Sequence, residues 1–282
     1  MSSGTLYVVA TPIGNLDDAS PRSLEVLRGA ALVACEDTRT SQALFARFGI
    51  AAKAVALHEH NERQAAAGLL EVLREGGDVA LISDAGTPAL SDPGAHLVAE
   101  AHKSGIRVSP VPGPSAAVAA YSASGFAESR FLFAGFLPAA GAARRKAIAA
   151  LHLAYPVVIY EAPHRIAATL ADLATAFGPA RELAIARELT KKFEEVARLT
   201  LGTAPAWLAG RPHRGQGEFV LVLAAGAPAG ADLALAERAL EVLLEALPPS
   251  AAARAAARIT GAPRAALYRK ALESRKPPRR AK

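Results

Sequence analysis

LISDAGTPALSDPG, residues 81–94, runs from apolar residues into an aspartate and then meets Gly86, Pro88, Pro93 and Gly94. An apolar run stopped by such a cluster is a strand entering a turn. DVALISDAG (78–86) is therefore expected as strand and turn, and PGAHLVAEAHKSG (93–105) as the following helix. The same alternation extends in both directions. TLYVVAT (5–11) is a β-favouring run, and SPRSLEVLRGA (20–30) is a helix with a capping serine and a proline at its first position. ALVACED (31–37) is a strand, TSQALFARFG (40–49) a helix and AKAVALHEH (52–60) a strand passing into a loop. NERQAAAGLLEVLREGG (61–77) has helical apolar spacing and a glycine stop, and IRVSPVPG (106–113) is again strand and turn. Alternating β and α down to about residue 122 predicts a mostly parallel sheet with helices on its faces.

A second cycle follows the break at YSASGFAES (121–129). RFLFAGFLP (130–138) is strand-like, with Phe136 expected in the core, and ARRKAIAALHLA (143–154) is helical. VVIYEAPH (157–164) is strand and turn, RIAATLADLATAFG (165–178) helix, and RELAIARELT (181–190) strand and loop. EEVARLTLGTAPAWLAG (194–210) includes a helix, and GEFVLVLAAG (217–226) is a last strand. The expectation is an α/β fold of two domains, 1–122 and 123–226, followed by the linker GAPAGAD (226–232) and a helical module over 232–282. Within that module SAAARAAARITG and PRAALYRKAL read as helix, turn, helix, with Ser250 as N-cap and Gly261 as stop.

The bulk properties bound the class. The chain has 282 residues, 51% of them hydrophobic, enough for a substantial core. No run of 18 apolar residues appears, so no membrane span is expected. The single cysteine, Cys35, excludes an internal disulfide and fits a reducing compartment. Residues 250–282 carry ten Lys and Arg against one Glu, whereas residues 1–249 carry twenty-two basic and twenty-five acidic side chains. A basic end of this kind suits a polyanion, or serves as a solvated tail.

The strong turns ATPIGN (10–15), CEDTRT (35–40), SDAGTP (83–88) and PGPSA (112–116) all follow strands. Ligands of open α/β sheets bind outside the carboxyl ends of the strands, so the turns mark a candidate site, although any α/β sheet needs turns at that edge. A nucleotide phosphate fits poorly. There is no GxxxxGK[ST] and no GxGxxG after the first strand, and Asp84 and Asp92 have no lysine nearby. Glycine there lets backbone approach an uncharged or cationic group, and S-adenosylmethionine, with its positive sulfonium, is such a ligand. His58 and His60 of HEH have no third partner, so no metal site is expected.

Read together, TPIGNLDDASPRSLEVLRGAALVACEDTRTS (11–41), LISDAGTPALSDPG (81–94), VSPVPGPSAAVAAYSASGF (108–126), FLFAGFLP (131–138), YEAPHRI (160–166), ARELTKKFEE (186–195) and GEFVLV (217–222) resemble the ribosomal RNA small-subunit methyltransferase I family of tetrapyrrole-methylase-like enzymes. The resemblance implies two α/β domains with S-adenosylmethionine in the cleft between them. It implies 2′-O-methylation of a cytidine in the decoding region of 16S ribosomal RNA within the small subunit, by a cytoplasmic homodimer. It would place the cofactor along Pro12, Asp84, Ala85, Gly86, Ser115, Ala116, Tyr160, Ala186, Arg187 and Gly217. SDAG and SDPG stand where tetrapyrrole methylases proper carry GDP and a glycine-arginine-glycine stretch, which favours RNA over a porphyrin-type substrate.

Methyl transfer to a ribose hydroxyl needs alignment and help in removing a proton from a weak acid. Glu36, Arg39, Glu161 and Lys191 are the candidates, a carboxylate as acceptor or a cation to stabilise the developing alkoxide. Glu36 and Asp37 can equally cap the next helix or pair with Arg39. Arg39, Arg165, Lys191 and Lys192, with Arg269 and Lys270 of the basic end, are the candidate RNA contacts. Two other readings stay open: a methylase of a small tetrapyrrole, and a non-catalytic RNA-binding assembly factor on the same fold.

Overall fold

The structure, a computed structural model, describes residues 3–58, 60–151, 155–226 and 233–273. The linker residues 227–232, His152 and the basic end from 274 onward lie outside the described residues.

The first sheet holds β1 (Thr5–Val9), β2 (Leu32–Cys35), β3 (Ala54–Ala56), β4 (Val79–Leu81) and β5 (Arg107–Val111) in the order β3-β2-β4-β1-β5. All its pairings are parallel. Side chains on a strand alternate between faces, and here both faces are buried. Leu6 and Val8 pack with Leu69, Leu73 and Leu97 under α3 (Glu62–Arg74) and α4 (Ala95–Lys103). Tyr7 and Val9 pack with Leu27 and Phe45 of α1 (Pro21–Gly29) and α2 (Thr38–Phe48). Ser20 caps α1, its hydroxyl accepting from Ser23 N at 3.0 Å, as the sequence predicts.

The second sheet holds β6 (Leu132–Phe136), β7 (Val157–Glu161), β8 (Glu182–Arg187), β9 (Glu195–Thr200) and β10 (Phe219–Leu223) in the order β6-β7-β10-β8-β9. Only β6 and β7 run parallel; β10 lies antiparallel between β7 and β8, and β9 is antiparallel to β8. One face is covered by α6 (Gly141–Ala149), α7 (Ile166–Phe177) and α8 (Ala204–Ala209) around Ile159, Leu170, Phe219 and Leu221. The other face is covered by α5 (Ala116–Ala123), which the sequence reading leaves without an element. Ala117 and Ala120 sit against Val158, Ala184 and Val222. Small side chains let that helix lie close to the sheet. Because α5 follows β5 directly, the turn 112–115 crosses from one sheet to the other.

Among the described residues the C-terminal module is three helices, α9 (Leu233–Ala246), α10 (Pro249–Thr260) and α11 (Arg264–Glu273), around Leu240, Ala252, Ala256, Leu267 and Ala271. Gly261 ends α10 in the left-handed region at φ 71°, as expected. The N-cap is Pro248 rather than Ser250: proline already fits the first turn, so the helix starts at Pro249 and Ser250 lies inside it.

Candidate active site

The turns after β1, β2, β4 and β5 are tied to one another at the carboxyl edge of the first sheet. Thr11 and Gly86 exchange backbone hydrogen bonds, Thr11 N to Gly86 O at 2.9 Å and Gly86 N to Thr11 O at 3.0 Å. Gly86 has φ 83°, which a side chain would make costly. Asp84 Oδ1 accepts from Asp37 N at 3.0 Å, and Thr87 Oγ1 donates to Pro114 O at 3.1 Å. Asp84 is thus part of the loop scaffold as well as a cavity wall.

A cavity of about 380 Å³ opens between this edge and the second sheet. Asp84, Ala85, Gly86 and Ala116 line it from one side, and Tyr160 and Ala186 from the other. Six of the ten residues named for the cofactor therefore meet there. Among the described residues its wall carries Asp84, Asp92, Glu161 and Glu218 and no Lys, Arg or His, the Glu161 carboxylate being turned inward to Arg165. Burial pushes the Asp92 carboxyl up, against a hydrogen bond from Ser83, and the charge of Asp84 adds to the rise. Burial likewise pushes the Tyr160 phenol up. Its hydroxyl accepts from Ala117 N at 3.2 Å, and its ring meets Phe136 edge-on with centroids 5.4 Å apart. Phe136 is not core: it is 56% exposed and lines the cavity, because a shift of register between Phe133 and Gly135 turns it to that face. Among the described residues no group of His, Cys, Asp and Glu has the geometry to hold a metal.

The other four named residues stand elsewhere. Pro12 lines a second, smaller cavity. Ser115 is the N-cap of α5, its Oγ buried without a hydrogen-bond partner. Arg187 is buried beneath the loops, donating to the carbonyls of Gln216, Phe193 and His213 at 2.7–3.0 Å, so it holds those loops together. Gly217 sits one residue before Glu218, whose N–H donates to Glu188 Oε1 at 2.9 Å.

The second cavity, about 270 Å³, shares Ile13, Asp84, Ala85 and Glu218 with the first. Lys191 is its cation. The Nζ lies 3.0 Å from Glu188 Oε1 and 2.9 Å from Glu218 Oε2. Burial works against the charge of Lys191, but those hydrogen bonds prevail and its pKa is raised. The lysine is therefore a fixed cation at neutral pH and not a proton acceptor. Its stem crosses to the first domain: a Cβ on Gly14 would lie 2.5 Å from Lys191 Cγ, so only glycine permits the approach. Glu188 and Thr190 hold positive φ values of 50° and 65°, strain of the kind that gathers at functional sites.

The remaining catalytic and RNA candidates divide clearly. Glu161 has a fully buried carboxylate that accepts from Thr169 Oγ1 at 2.5 Å and Ala162 N at 2.8 Å. Arg165 Nε lies 2.9 Å from the same carboxylate, and Arg165 Nη2 donates to Leu137 O at 2.5 Å. The Glu161 carboxylate is fully enclosed and the Arg165 side chain only 16% exposed; together they brace the turn after β7. Asp37 both caps α2, accepting from Arg39 N at 2.8 Å, and pairs with the Arg39 guanidinium, which holds its carboxyl down to about 2. Arg39 itself is 87% exposed at the rim, and Lys192 is exposed beside Lys191. Burial raises the Glu36 pKa, and the nearby carboxylates of Asp84, Asp92 and Asp37 raise it further. In α11 Arg269 is exposed, whereas Lys270 forms an ion pair with Glu237.

An acidic, otherwise apolar chamber without a cation suits a positively charged organic ligand and repels a phosphate. The small side chains of Ala85, Ala116 and Ala186 leave room for such a ligand. The solved structures of similar fold include the methyltransferase CobJ, with TM-score 0.58 and 20% identity over 80% of this chain and 95% of that one. Diphthine synthase has TM-score 0.58 and 17% identity over 79% and 90%. At such identities the likeness concerns the fold. Residues 5–205 match the family described as Tetrapyrrole (Corrin/Porphyrin) Methylases, and residues 229–275 match the RsmI C-terminal HTH domain. The ribosomal RNA small subunit methyltransferase I of Pseudomonas aeruginosa is 50% identical over 97% of this chain and 98% of its own length. That of Escherichia coli O157:H7 is 46% identical over 96% of each. With both α/β domains and the helical module matched end to end, the chain belongs to the ribosomal RNA small subunit methyltransferase I family.

Proposed function

We propose that this protein methylates 16S ribosomal RNA with S-adenosylmethionine as donor, and that the acceptor is the 2′-hydroxyl of a cytidine in the decoding region, reached in the small subunit. The observation that carries the reading is the cation-free acidic chamber joined by a shared wall to a second, polar cavity. S-adenosylmethionine supplies a methyl group on a positively charged sulfur. Asp84 and Glu218, which stand on the shared wall, favour positive charge there. Tyr160 and Ala116 confine the ligand, while Ala85 and Gly86, without bulk, let the backbone lie close to it. Lys191, held by Glu188 and Glu218 through two of its three N–H donors, has the third with which to hold an oxygen brought to that wall. Arg39, Lys192 and Arg269 are exposed cations suited to phosphate contacts that position RNA without reading its sequence. A homodimer is proposed on family membership alone.

The test is incubation with labelled S-adenosylmethionine and small subunits lacking the modification, followed by mapping of the label. Label on a ribose 2′-oxygen of a cytidine in 16S RNA is expected. Label on a base would overturn the 2′-O assignment, and no label on RNA would overturn the enzyme reading.

A further inference from the structure

The smaller cavity lies where a second reactant must enter. It touches the larger one only through Ile13, Asp84, Ala85 and Glu218, so anything bound in it meets the first chamber across that wall. Its lining mixes apolar Leu16 and Leu44 with polar Thr40, Ser41 and Lys191, the composition that takes a flat ring and a few hydrogen-bonding groups. At about 270 Å³ it is at the small end of ligand cavities, room for one nucleoside rather than a base pair. Lys191, the one cation in its wall among the described residues, is already paired with two carboxylates, so phosphate is disfavoured inside. Exposed cations stand outside instead, Lys192 next to Lys191, and Arg39 next to Thr40, 87% exposed although paired on one side with Asp37.

We propose that this cavity is the acceptor pocket, taking one unstacked ribonucleotide with base and sugar inside and its phosphates at the rim. The proposal rests on the RNA-methylating reading above and deepens it. A hydroxyl inside a duplex cannot reach a chamber between two domains, and RNA is commonly read through unpaired, splayed nucleotides. Lys191, whose Nζ is fixed at the shared wall, is the group such a sugar would meet.

The test uses the full chain loaded with S-adenosylhomocysteine and a single-stranded ten-nucleotide oligocytidylate. RNA should shift the methyl resonances of Leu16, in the turn after β1, and of Ala43 and Leu44 on α2, all of which line the cavity. Ala43→Phe fills the cavity from an exposed helix position. It should weaken RNA binding at least fivefold and leave S-adenosylhomocysteine affinity within twofold. Thr40→Phe, also exposed, should do the same, so a folding defect in one variant does not decide the matter. Undiminished RNA affinity in both variants, or methyl shifts confined to other regions, overturns the proposal. Binding is read directly, so small subunits that take up no label would overturn the proposed reaction and leave the pocket to be judged on these results.

Discussion

Glu161 illustrates how a carboxylate in a conspicuous turn can be a brace. Both of its oxygens are taken, by Thr169, Ala162 and Arg165. Removing one partner of a buried pair leaves the other charge uncompensated, at a cost of about 3–5 kcal/mol. Glu161→Ala should therefore lower unfolding stability by roughly that amount in denaturant melts; a variant of wild-type stability would return Glu161 to the list of chemical groups. Glu36 makes the opposite case. Its folded pKa is raised by burial and by three neighbouring carboxylates, so the fold favours its neutral form. Any stability from protonated Glu36 is complete below the ordinary glutamate pKa of about 4.3 and is lost as pH rises through the higher folded value. Glu36→Gln should accordingly raise the urea midpoint at pH 7 and leave it unchanged near pH 3.5, measured on the same buffers. An equal gain at both pH values would mean that the charge of Glu36 is not what strains the edge.

At the scale of elements, what the sequence made legible is what local chemistry dictates. The parallel sheet, the capping of α1 by Ser20 and the stop of α10 at Gly261 follow from residues acting on their neighbours, whereas the expectation that the SDAG turn meets Ala116, Tyr160 and Ala186 came from the family resemblance. Long-range partners were not legible. β9 is an edge strand whose residues alternate between half-buried and exposed, and it pairs only because β8 lies beside it. Helix α5, AAVAAYSA, carries apolar Val118 on its exposed side as well as Ala117 and Ala120 on its buried side, so its helical period is hidden. Arg187 lies in a site motif yet spends its guanidinium on three carbonyls, and no pattern in the sequence reveals that. The cap of α4 is another such partner. Gly94, its N-cap residue, offers no side chain; Glu62, at the start of α3, accepts from Gly94 N and His96 N, both at 2.9 Å. Glu62→Ala should cost about 1 kcal/mol, the usual worth of a cap, and Glu62→Gln should recover most of it. Chemical denaturation of the two variants checks this, and equal loss in both would point to charge instead of capping.

At the scale of the whole molecule, charge and chemistry are divided between units. The two α/β domains enclose an acidic chamber, and residues 1–249 carry a small excess of acids, whereas residues 250–282 are strongly basic. A catalytic body of that sign gains little from bulk attraction to RNA, so long-range attraction falls to the C-terminal module. Arg254, Arg258, Arg264 and Arg269 are exposed on α10 and α11, around the turn that joins them. Each phosphate neutralised on a single strand releases roughly 0.7 counterion, so losing four contacts should flatten the slope of log affinity against log salt by about 3. The variant with all four replaced by glutamine should show that change in binding to small subunits between 50 and 200 mM salt, and keep its affinity for S-adenosylhomocysteine. An unchanged slope would make the basic module a solvated surface and would shift the RNA footprint to Arg39 and Lys192, beside the second cavity.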